Sequence, residues 1–309
     1  MSRAYRPSDF EAFLRKHSST SPSRHSEQAE RSQIDRGSRG SSHTERHGRE
    51  PNLLHRDNSD RFRATYRYRN REYSLRESEV QTLMEIGKFR VVAVDDLAQL
   101  RYTSDRARME NDVQNLRRQG LLEQHSIEGH DGRSKNVLVI TRDAHKLLTR
   151  QNRIPEGQAI YHGLAKPKEV RHDADLYRLY HQVADEIESS GGTVRRVILD
   201  YEIKRELYKK LSQIDPHKNP AYERIRVANE YDLQVVNDKI PVPDLRIEYE
   251  DECREVHRLD LEIATRDYRP RGLAEKAKAG FHLFARHQDH SKLRRILDTH
   301  EITARIFAL

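Results

Sequence analysis

Two strand-like segments joined by a short charged turn constrain this chain more than any other feature. Residues 244–249 alternate polar and apolar side chains, and residues 255–264 do so again after the turn 250–253. The pattern predicts an antiparallel hairpin within one sheet. Asp244 begins the first segment and Glu262 lies near the end of the second, so the hairpin brings two carboxylates together. Paired carboxylates of this kind can hold a divalent cation beside a phosphodiester.

Side chains alternate between the two faces of a strand, which separates the residues of the second segment. One face carries Asp260, Glu262 and Ala264, and the other carries Leu259, Leu261 and Ile263. We expect the leucine face to form the core and the acidic face to lie away from it. An alternative stays open, in which the two carboxylates are simply exposed on an outer strand.

The N-terminal residues 1–60 differ in composition from the rest of the chain. The whole sequence is 35% charged and 35% hydrophobic, which is less apolar than usual. Residues 17–55 are rich in Ser, Arg, His, Glu and Gly, and such segments bury too little surface to fold. We therefore predict a disordered tail over residues 1–60. A sharper alternative is that Phe10, Phe13 and Leu14 dock on a partner.

The net charge of +7 is concentrated in a short arm, residues 61–73, which holds five arginines and one glutamate. The arginines are interleaved with aromatic residues. Arginine neutralises phosphates and tyrosine stacks on bases, so Arg67 and Arg69 are candidate DNA contacts. An edge strand with Tyr and Phe on one face is an equally favoured and compatible interpretation.

Residues 74–150 read as helices followed by a hairpin. A capping box at Ser74 and Glu77 opens the first helix, a short helix covers 94–100, and the Thr-Ser-Asp segment 103–105 caps a helix over 106–119. A hairpin of 121–127 and 135–141 and a helix over 142–150 follow. This order resembles a winged helix-turn-helix, in which the third helix enters the major groove of DNA.

The resemblance implies a set of DNA contacts on the third helix and on the wing. They are Arg106, Arg108, Asn111, Asn115, Arg117 and Arg118 on the helix, with Arg133 and Lys135 on the wing. Two alternatives stay open. Arg117 and Arg118 can stabilise a helix end against its dipole, and winged helices also mediate protein contacts.

A Pro- and Gly-containing linker, residues 151–169, leads to a C-terminal domain over 170–309. Its elements read as a helix over 170–189, a strand over 193–201, a helical insert over 202–232, the hairpin, a helix over 273–286 and a strand over 303–309. The order resembles the αβββαβ core of the PD-(D/E)xK restriction-endonuclease-like fold. We therefore expect an α+β or α/β protein with a tail, a winged helix over 61–150 and a nuclease-like domain.

The resemblance to the nuclease-like fold implies that Asp244 and Glu262 bind Mg²⁺. The lysine expected two places after the glutamate is Ala264 here, and Lys276 on the following helix is the candidate replacement. With the winged helix, the tract Pro-Asp-Leu-Arg, Leu-Glu-Ile-Ala-Thr and Leu-Ala-Glu-Lys-Ala-Lys resembles the bacterial replication-relaxation family of plasmid and mobile-element proteins. Asp244, Glu262 and Lys276 are the catalytic residues implied, and His172 resembles a histidine of that family, although a polar helix cap fits it equally.

These expectations add up to a cytoplasmic protein that binds double-stranded DNA of a plasmid or mobile element, with a metal-dependent nickase or endonuclease activity. The alternative is a non-catalytic regulator or accessory protein of replication or mobilisation. A homodimer or a replication or mobilisation protein is the expected partner. One cysteine, Cys253, argues against Cys-rich zinc sites, and no apolar run reaches the roughly 20 residues of a membrane helix. No phosphate-binding Gly-rich loop is present, which argues against ATP use.

Overall fold

The computed structural model describes residues 62–128, 134–164, 169–215, 217 and 219–309. The predicted tail, residues 1–60, and the candidate wing contact Arg133 lie outside this part of the chain. Within it the fold is mixed α+β, as expected, and contains three β-sheets. No helix in the described ranges combines the length and the apolar character needed to cross a lipid bilayer.

The N-terminal half consists of a hairpin, several helices and a three-stranded sheet. Its elements are β1 (Ala64–Tyr68), β2 (Arg71–Leu75), α1 (Glu77–Lys88), β3 (Val92–Ala93), α2 (Val94–Asp96) with a following π-helical turn (Leu97–Arg101), α3 (Arg106–Arg118), β4 (Leu122–Glu128), β5 (Ser134–Ile140) and α4 (Arg142–Arg150). The antiparallel sheet has the order β3-β5-β4. The predicted third helix, hairpin and fourth helix are confirmed within one or two residues.

The arginine-rich arm folds as the antiparallel hairpin β1–β2. Its two turn residues, Arg69 and Asn70, have positive φ angles of 48° and 58°, as a type I′ turn requires. Tyr73 is buried, and Tyr66 and Tyr68 pack partly buried against the core. The expectation of a strand with packed tyrosines is therefore confirmed, whereas Phe62 precedes the hairpin and is exposed.

The predicted capping box at Ser74 is wrong. Ser74 belongs to β2, where it lies opposite Thr65, and the side-chain amide of Gln119 bonds to both its N–H and its carbonyl. The N-cap of α1 is Arg76, whose backbone N–H donates to the buried Glu79 carboxylate at 2.8 Å. Pairing with β1 therefore places Ser74 in a strand, although the local sequence pattern predicted it as the helix N-cap.

The C-terminal half is built around a five-stranded sheet. Its elements are α5 (Val170–Ser189), β6 (Thr193–Leu199), α6 (Asp200–Leu211), α7 (Pro220–Glu230), β7 (Leu245–Glu250), β8 (Val256–Ile263), α8 (Pro270–Lys278), β9 (His282–Ala285), α9 (His287–Thr299) and β10 (Ile306–Ala308). The strand order is β10-β9-β8-β7-β6. Strands β6, β7 and β8 are antiparallel, and β9 and β10 each run parallel to the preceding neighbour.

The single helix predicted over 273–286 is wrong. Helix α8 ends at Lys278, Gly280 adopts a positive φ of 83°, and β9 follows as an inner strand. A short apolar run does not distinguish a buried helix from a buried strand by periodicity alone, which explains the error. The fourth strand of the core is therefore β9, and the predicted C-terminal strand is the edge strand β10.

Both faces of the five-stranded sheet are covered, so the expectation of an uncovered acidic face on β8 is wrong. Helix α5 packs on the face that carries Leu259 and Leu261. Helices α8 and α9 pack on the opposite face, where Leu273 and Leu293 belong to one buried apolar cluster with Ala264. Glu262, on the second face, has no exposed surface. The alternative of two exposed carboxylates on an outer strand is therefore also wrong.

Helix α5 contacts both halves of the protein. Phe89, at the end of α1, packs edge-on against Tyr177 with ring centroids 5.2 Å apart. Val170 and Ala174 join Val91 and Val137 of the N-terminal half in a second apolar cluster. The core is therefore continuous from the three-stranded sheet to the five-stranded sheet.

A buried polar pair joins α1 to α5. Glu85 and the Nε2 atom of His181 lie 3.0 Å apart. Burial raises the pKa of Glu85, but the hydrogen bond from His181 and the charge of Lys88 outweigh burial and lower the pKa to about 2. A carboxyl group whose pKa is lowered on folding stabilises the folded state above its unfolded pKa and loses that contribution as the pH falls.

Glu85→Gln should therefore remove an acid-dependent part of the stability. The unfolding free energy of the wild type should exceed that of the variant at pH 6, and the difference should shrink by roughly 1 kcal/mol per pH unit below pH 4.5, towards pH 2. Urea unfolding between pH 6 and pH 2.5 measures it. Glu188→Gln, at an exposed position of α5, is the control. A constant difference across this range would contradict the assignment.

Candidate active site and candidate nucleic-acid interface

The two carboxylates of the hairpin are adjacent in space. Leu245 pairs with Leu261 across β7 and β8, which places Asp244 beside Glu262. The backbone N–H of Asp244 donates to Glu262 Oε2 at 3.2 Å, and Asp244 Oδ2 accepts from the N–H of Ile263 at 2.9 Å. Reciprocal backbone bonds therefore fix both side chains at the same end of the two strands.

Lys276 reaches the same place from α8. Its Nζ atom donates to Glu262 Oε2 at 2.8 Å and lies 2.8 Å from Oε1 as well. It also donates to the carbonyl oxygen of Val242 at 2.7 Å, two residues before Asp244. The side chain is mostly buried. The structure thus brings together all three residues that the sequence predicted for this site.

Two further side chains complete the cluster. His172, in the first turn of α5, places Nε2 3.4 Å from Asp244 Oδ1. Tyr268, in the loop between β8 and α8, donates its hydroxyl to Glu262 Oε1. The sequence predicted a functional role for His172, with a polar helix cap as the equally favoured alternative. No local sequence signal identifies Tyr268, whose role depends on the folded path of the loop.

Charge in the cluster is nearly balanced. Burial raises the pKa of Glu262, and the negative charge of Asp244 adds to this, against the opposing effects of Lys276 and Tyr268. Burial acts in the same direction on Asp244, but the hydrogen bond and charge of His172, with Lys276, lower its pKa. Burial lowers the pKa of His172, but Asp244 outweighs this and raises it to about 9. His172 is therefore protonated at neutral pH, where His172 and Lys276 face Asp244 and a Glu262 carboxyl group whose pKa is raised to about 7.

A third acidic residue borders the cluster at the start of α6. The backbone N–H of Asp200 donates to the carbonyl oxygen of Asp244 at 3.1 Å, and its carboxylate accepts from Lys204 at 2.5 Å. The sequence pattern placed Asp200 inside a predicted strand and so did not identify it. Two glutamates of α5, Glu186 and Glu188, lie roughly 20 Å along the helix from His172, at its other end, so α5 adds neither of them to the cluster.

Oxygen atoms that could hold a hard divalent cation are concentrated at Asp244 and Glu262. Mg²⁺ is typically held by one or two carboxylates and several waters, and this donor set fits that chemistry. Lys276 occupies both Glu262 oxygens, so an ion would compete with its ammonium group. A separate group among the described residues, Asp251, Glu255 and His257, lies within metal-ligand distances of one another at the β7–β8 turn. Asp251 accepts hydrogen bonds from two backbone N–H groups of this turn, so stabilising the turn is a sufficient reason for its position.

An open groove lies between the outer face of α3 and the hairpin β4–β5. Four of the predicted DNA contacts line this groove: Arg106, Asn111, Arg117 and Lys135. The acidic residues Asp95 and Glu110 line it as well. Arg106 pairs with Asp95 at 2.5 Å on the exposed surface. Arg117 donates to Gln124 of β4 at 3.2 Å. The structure thus gathers residues from helix and hairpin on one surface.

The other predicted contacts have different positions. Arg118 borders a neighbouring hollow formed with β4, and Arg108 is exposed on α3. Asn115 faces α1, where its side-chain amide donates to the buried Glu79 at 2.9 Å, so it is not on the groove surface.

Arg67 and Arg69 lie on the exposed side of the hairpin β1–β2. Arg67 is 81% exposed and pairs with Glu72. The Arg69 guanidinium lies 5.5 Å from the ring centroid of Tyr68. Gln119 ties this hairpin to the end of α3 through Ser74. The arm therefore places Arg67 and Arg69 outward and its tyrosines inward, whereas Arg63 pairs with the buried Glu79. The charges of Arg67 and Arg69, rather than the rings, are thus available to a polyanion.

Comparison of the chain with protein-family models, with curated proteins and with solved structures gives no match.

Lys276→Met should destabilise the protein when metal ions are removed with EDTA. The change leaves the Glu262 carboxylate buried without its cation, which costs roughly 3 kcal/mol in the free energy of unfolding. The loss should be smaller at pH 5 than at pH 8, because Glu262, whose pKa is raised, becomes neutral by binding a proton. Urea denaturation measures both values. Lys278→Met, exposed on the same helix, should change stability by less than about 0.5 kcal/mol, and equal losses in the two variants would contradict the pairing.

Proposed function

We propose that this protein binds double-stranded DNA and cuts one of its phosphodiester bonds with the help of a divalent cation at Asp244 and Glu262. The observation that carries the proposal is the convergence of Asp244, Glu262 and Lys276, from β7, β8 and α8, at one end of a covered sheet. Two carboxylates and an ammonium group in one buried cluster are the groups that metal-assisted phosphodiester hydrolysis uses.

The order of elements supports a nuclease-like domain. Helix α5, the antiparallel strands β6, β7 and β8, helix α8 and the parallel strand β9 follow the αβββαβ order of the PD-(D/E)xK fold. Helices α6 and α7 form the insert, and α9 and β10 extend the order at its C-terminal end. We assign this arrangement to residues 170–309.

Each residue of the cluster has a proposed role. Asp244 and Glu262 bind Mg²⁺, which when bound lowers the pKa of a coordinated water molecule. Lys276 stabilises negative charge that develops on the phosphate. His172 orients the Asp244 carboxylate. Arg266 and Arg269 are exposed beside Tyr268 without an ion pair to any other described residue, and they hold DNA phosphates.

The groove of α3 and β4–β5 is the proposed DNA-docking surface, in the manner of a winged helix. In this arrangement helix α3 enters the major groove of DNA. Arg117 and Lys135, on the two sides of the protein groove, contact the DNA, and Arg67 and Arg69 add phosphate contacts. Resemblance to the replication-relaxation family supplies the setting: a plasmid or mobile element in the bacterial cytoplasm, with a second copy of the chain or a replication or mobilisation protein as partner.

The purified protein should convert supercoiled plasmid to the nicked form in Mg²⁺ or Mn²⁺. Glu262→Gln should slow this by at least about 100-fold, the order lost when a group that stabilises transition-state charge is removed. Glu255→Gln is the matched control, because Glu255 is an exposed glutamate just before β8 and belongs to the other acidic group. Gel electrophoresis of the plasmid gives the rates. Equal rates for wild type and Glu262→Gln would exclude this site.

Arg117→Ala combined with Lys135→Ala should weaken duplex binding and its dependence on salt. Each lost phosphate contact lowers the slope of log K against log salt by about 0.9, so the double variant should lose about 2 from the slope. Fluorescence anisotropy of a labelled duplex in EDTA at several salt concentrations measures this without cleavage. Lys292→Ala, exposed on α9, should leave the slope unchanged. An unchanged slope in the double variant would show that DNA does not bind at the groove between α3 and β4–β5.

A second candidate function is a DNA-binding regulator or accessory protein that does not cut. The observation in its favour is that Lys276 already lies 2.8 Å from Glu262 and His172 lies 3.4 Å from Asp244, so each carboxyl group has a basic partner, and that Ala264 places no lysine on the strand. This candidate predicts salt-sensitive duplex binding with no nicking by the wild type in either metal ion.

A further inference from the structure

Tyr268 is fixed against one oxygen of Glu262. Its hydroxyl donates to Oε1, and its backbone N–H closes a turn by donating to Thr265 at 3.0 Å. The ring is partly buried and packs on the apolar cluster that contains Ala264 and Leu273. The hydroxyl is therefore held in place by a packed loop rather than by a freely rotating side chain.

The second oxygen of Glu262 faces Asp244. Oε2 accepts the Asp244 backbone N–H at 3.2 Å, while Lys276 lies 2.8 Å from both oxygens. Tyr268 bonds Oε1 and the Asp244 N–H bonds Oε2, so these two contacts together distinguish the two oxygens. As long as the Tyr268 bond persists, Oε2 of Glu262 remains directed towards Asp244 and Oε1 is held by the hydroxyl.

Divalent cations differ in the carboxylate geometry that they accept. Ca²⁺ takes six to eight oxygen ligands and commonly binds both oxygens of one carboxylate. Mg²⁺ requires a nearly octahedral shell, keeps several waters and takes single oxygens from carboxylates. A glutamate whose orientation is fixed, so that only Oε2 is directed towards Asp244, suits the second kind of ion.

We propose that Tyr268 is a positioning residue that sets the cation preference of the Asp244–Glu262 site, by making Glu262 a one-oxygen ligand that favours Mg²⁺ and Mn²⁺ over Ca²⁺. This inference rests on the proposed function. The hydroxyl is neutral, so its removal changes the freedom of the carboxylate and leaves the formal charge of the cluster unaltered. Tyr268→Phe therefore separates geometry from charge, which variants of Lys276 or His172 do not.

The test measures ion binding directly, without DNA. Electron paramagnetic resonance counts free Mn²⁺ in the presence of the full-length protein, and Mg²⁺ or Ca²⁺ is then added until half of the bound Mn²⁺ is displaced. In Tyr268→Phe the ratio of the Ca²⁺ to the Mg²⁺ concentration needed should fall at least fivefold relative to the wild type. Tyr222→Phe, which removes a hydroxyl from an exposed tyrosine of α7, should leave the ratio unchanged.

Two different results would overturn two different claims. The first is an unchanged ratio in a Tyr268→Phe variant that still binds Mn²⁺, while Glu262→Gln no longer binds it. This result overturns the role of Tyr268 and leaves the proposed cation site intact. Mn²⁺ binding that persists in Glu262→Gln, or that is absent from the wild type, overturns the cation site and the inference together. Thermal unfolding of each variant in EDTA verifies that it is folded.

Discussion

The burial of α5 between two sheets is the constraint on which the other contacts depend. Tyr177 packs against Phe89 of the N-terminal half, and Leu179 belongs to the same apolar cluster as Leu261 of β8. Because one helix is shared, its first turn has a fixed position relative to both sheets. His172 thereby contacts Asp244, and the next residue, Asp173, pairs with Arg90 of the N-terminal half at 3.5 Å. The two halves therefore meet beside the candidate active site.

The charged cluster at the end of β7 and β8 is expensive to bury. Each ion withdrawn from water costs several kcal/mol, and apolar residues of similar volume commonly give equal or greater stability. Asp244, Glu262, Lys276 and His172 nevertheless converge there, and the pKa values of both acids and of the histidine are displaced. Displaced pKa values occur at functional sites but also in structural ion pairs such as Glu85 with His181, so the shifts add to the geometry of the cluster and do not by themselves assign its role.

Sequence patterns predicted the parts of the structure in which local signals agree with packing. Helix α5 and the hairpin β7–β8 follow from periodicity, and the proximity of Asp244 and Glu262 follows from the pairing of that hairpin. Lys276 was found only through a family resemblance, since a lysine on a helix carries no local sign of its partner. Tyr268 was missed because its bond depends on the path of a loop. Strand β9 was missed because a short apolar run fits either a helix or a strand.

Ala264 and Lys276 are two parts of one packing arrangement. Ala264 has no exposed surface and belongs to the same apolar cluster as Leu273 of α8, so its small side chain leaves room for that helix beside the end of β8. Lys276 lies about one helical turn after Leu273, and its ammonium group donates to the Glu262 carboxylate and to the carbonyl oxygen of Val242. A lysine at position 264 would lie on the same face as Glu262 but would occupy the space in which α8 packs. The packing of α8 beside the end of β8 therefore suits an alanine on the strand, and the ammonium group reaches Glu262 from the helix instead.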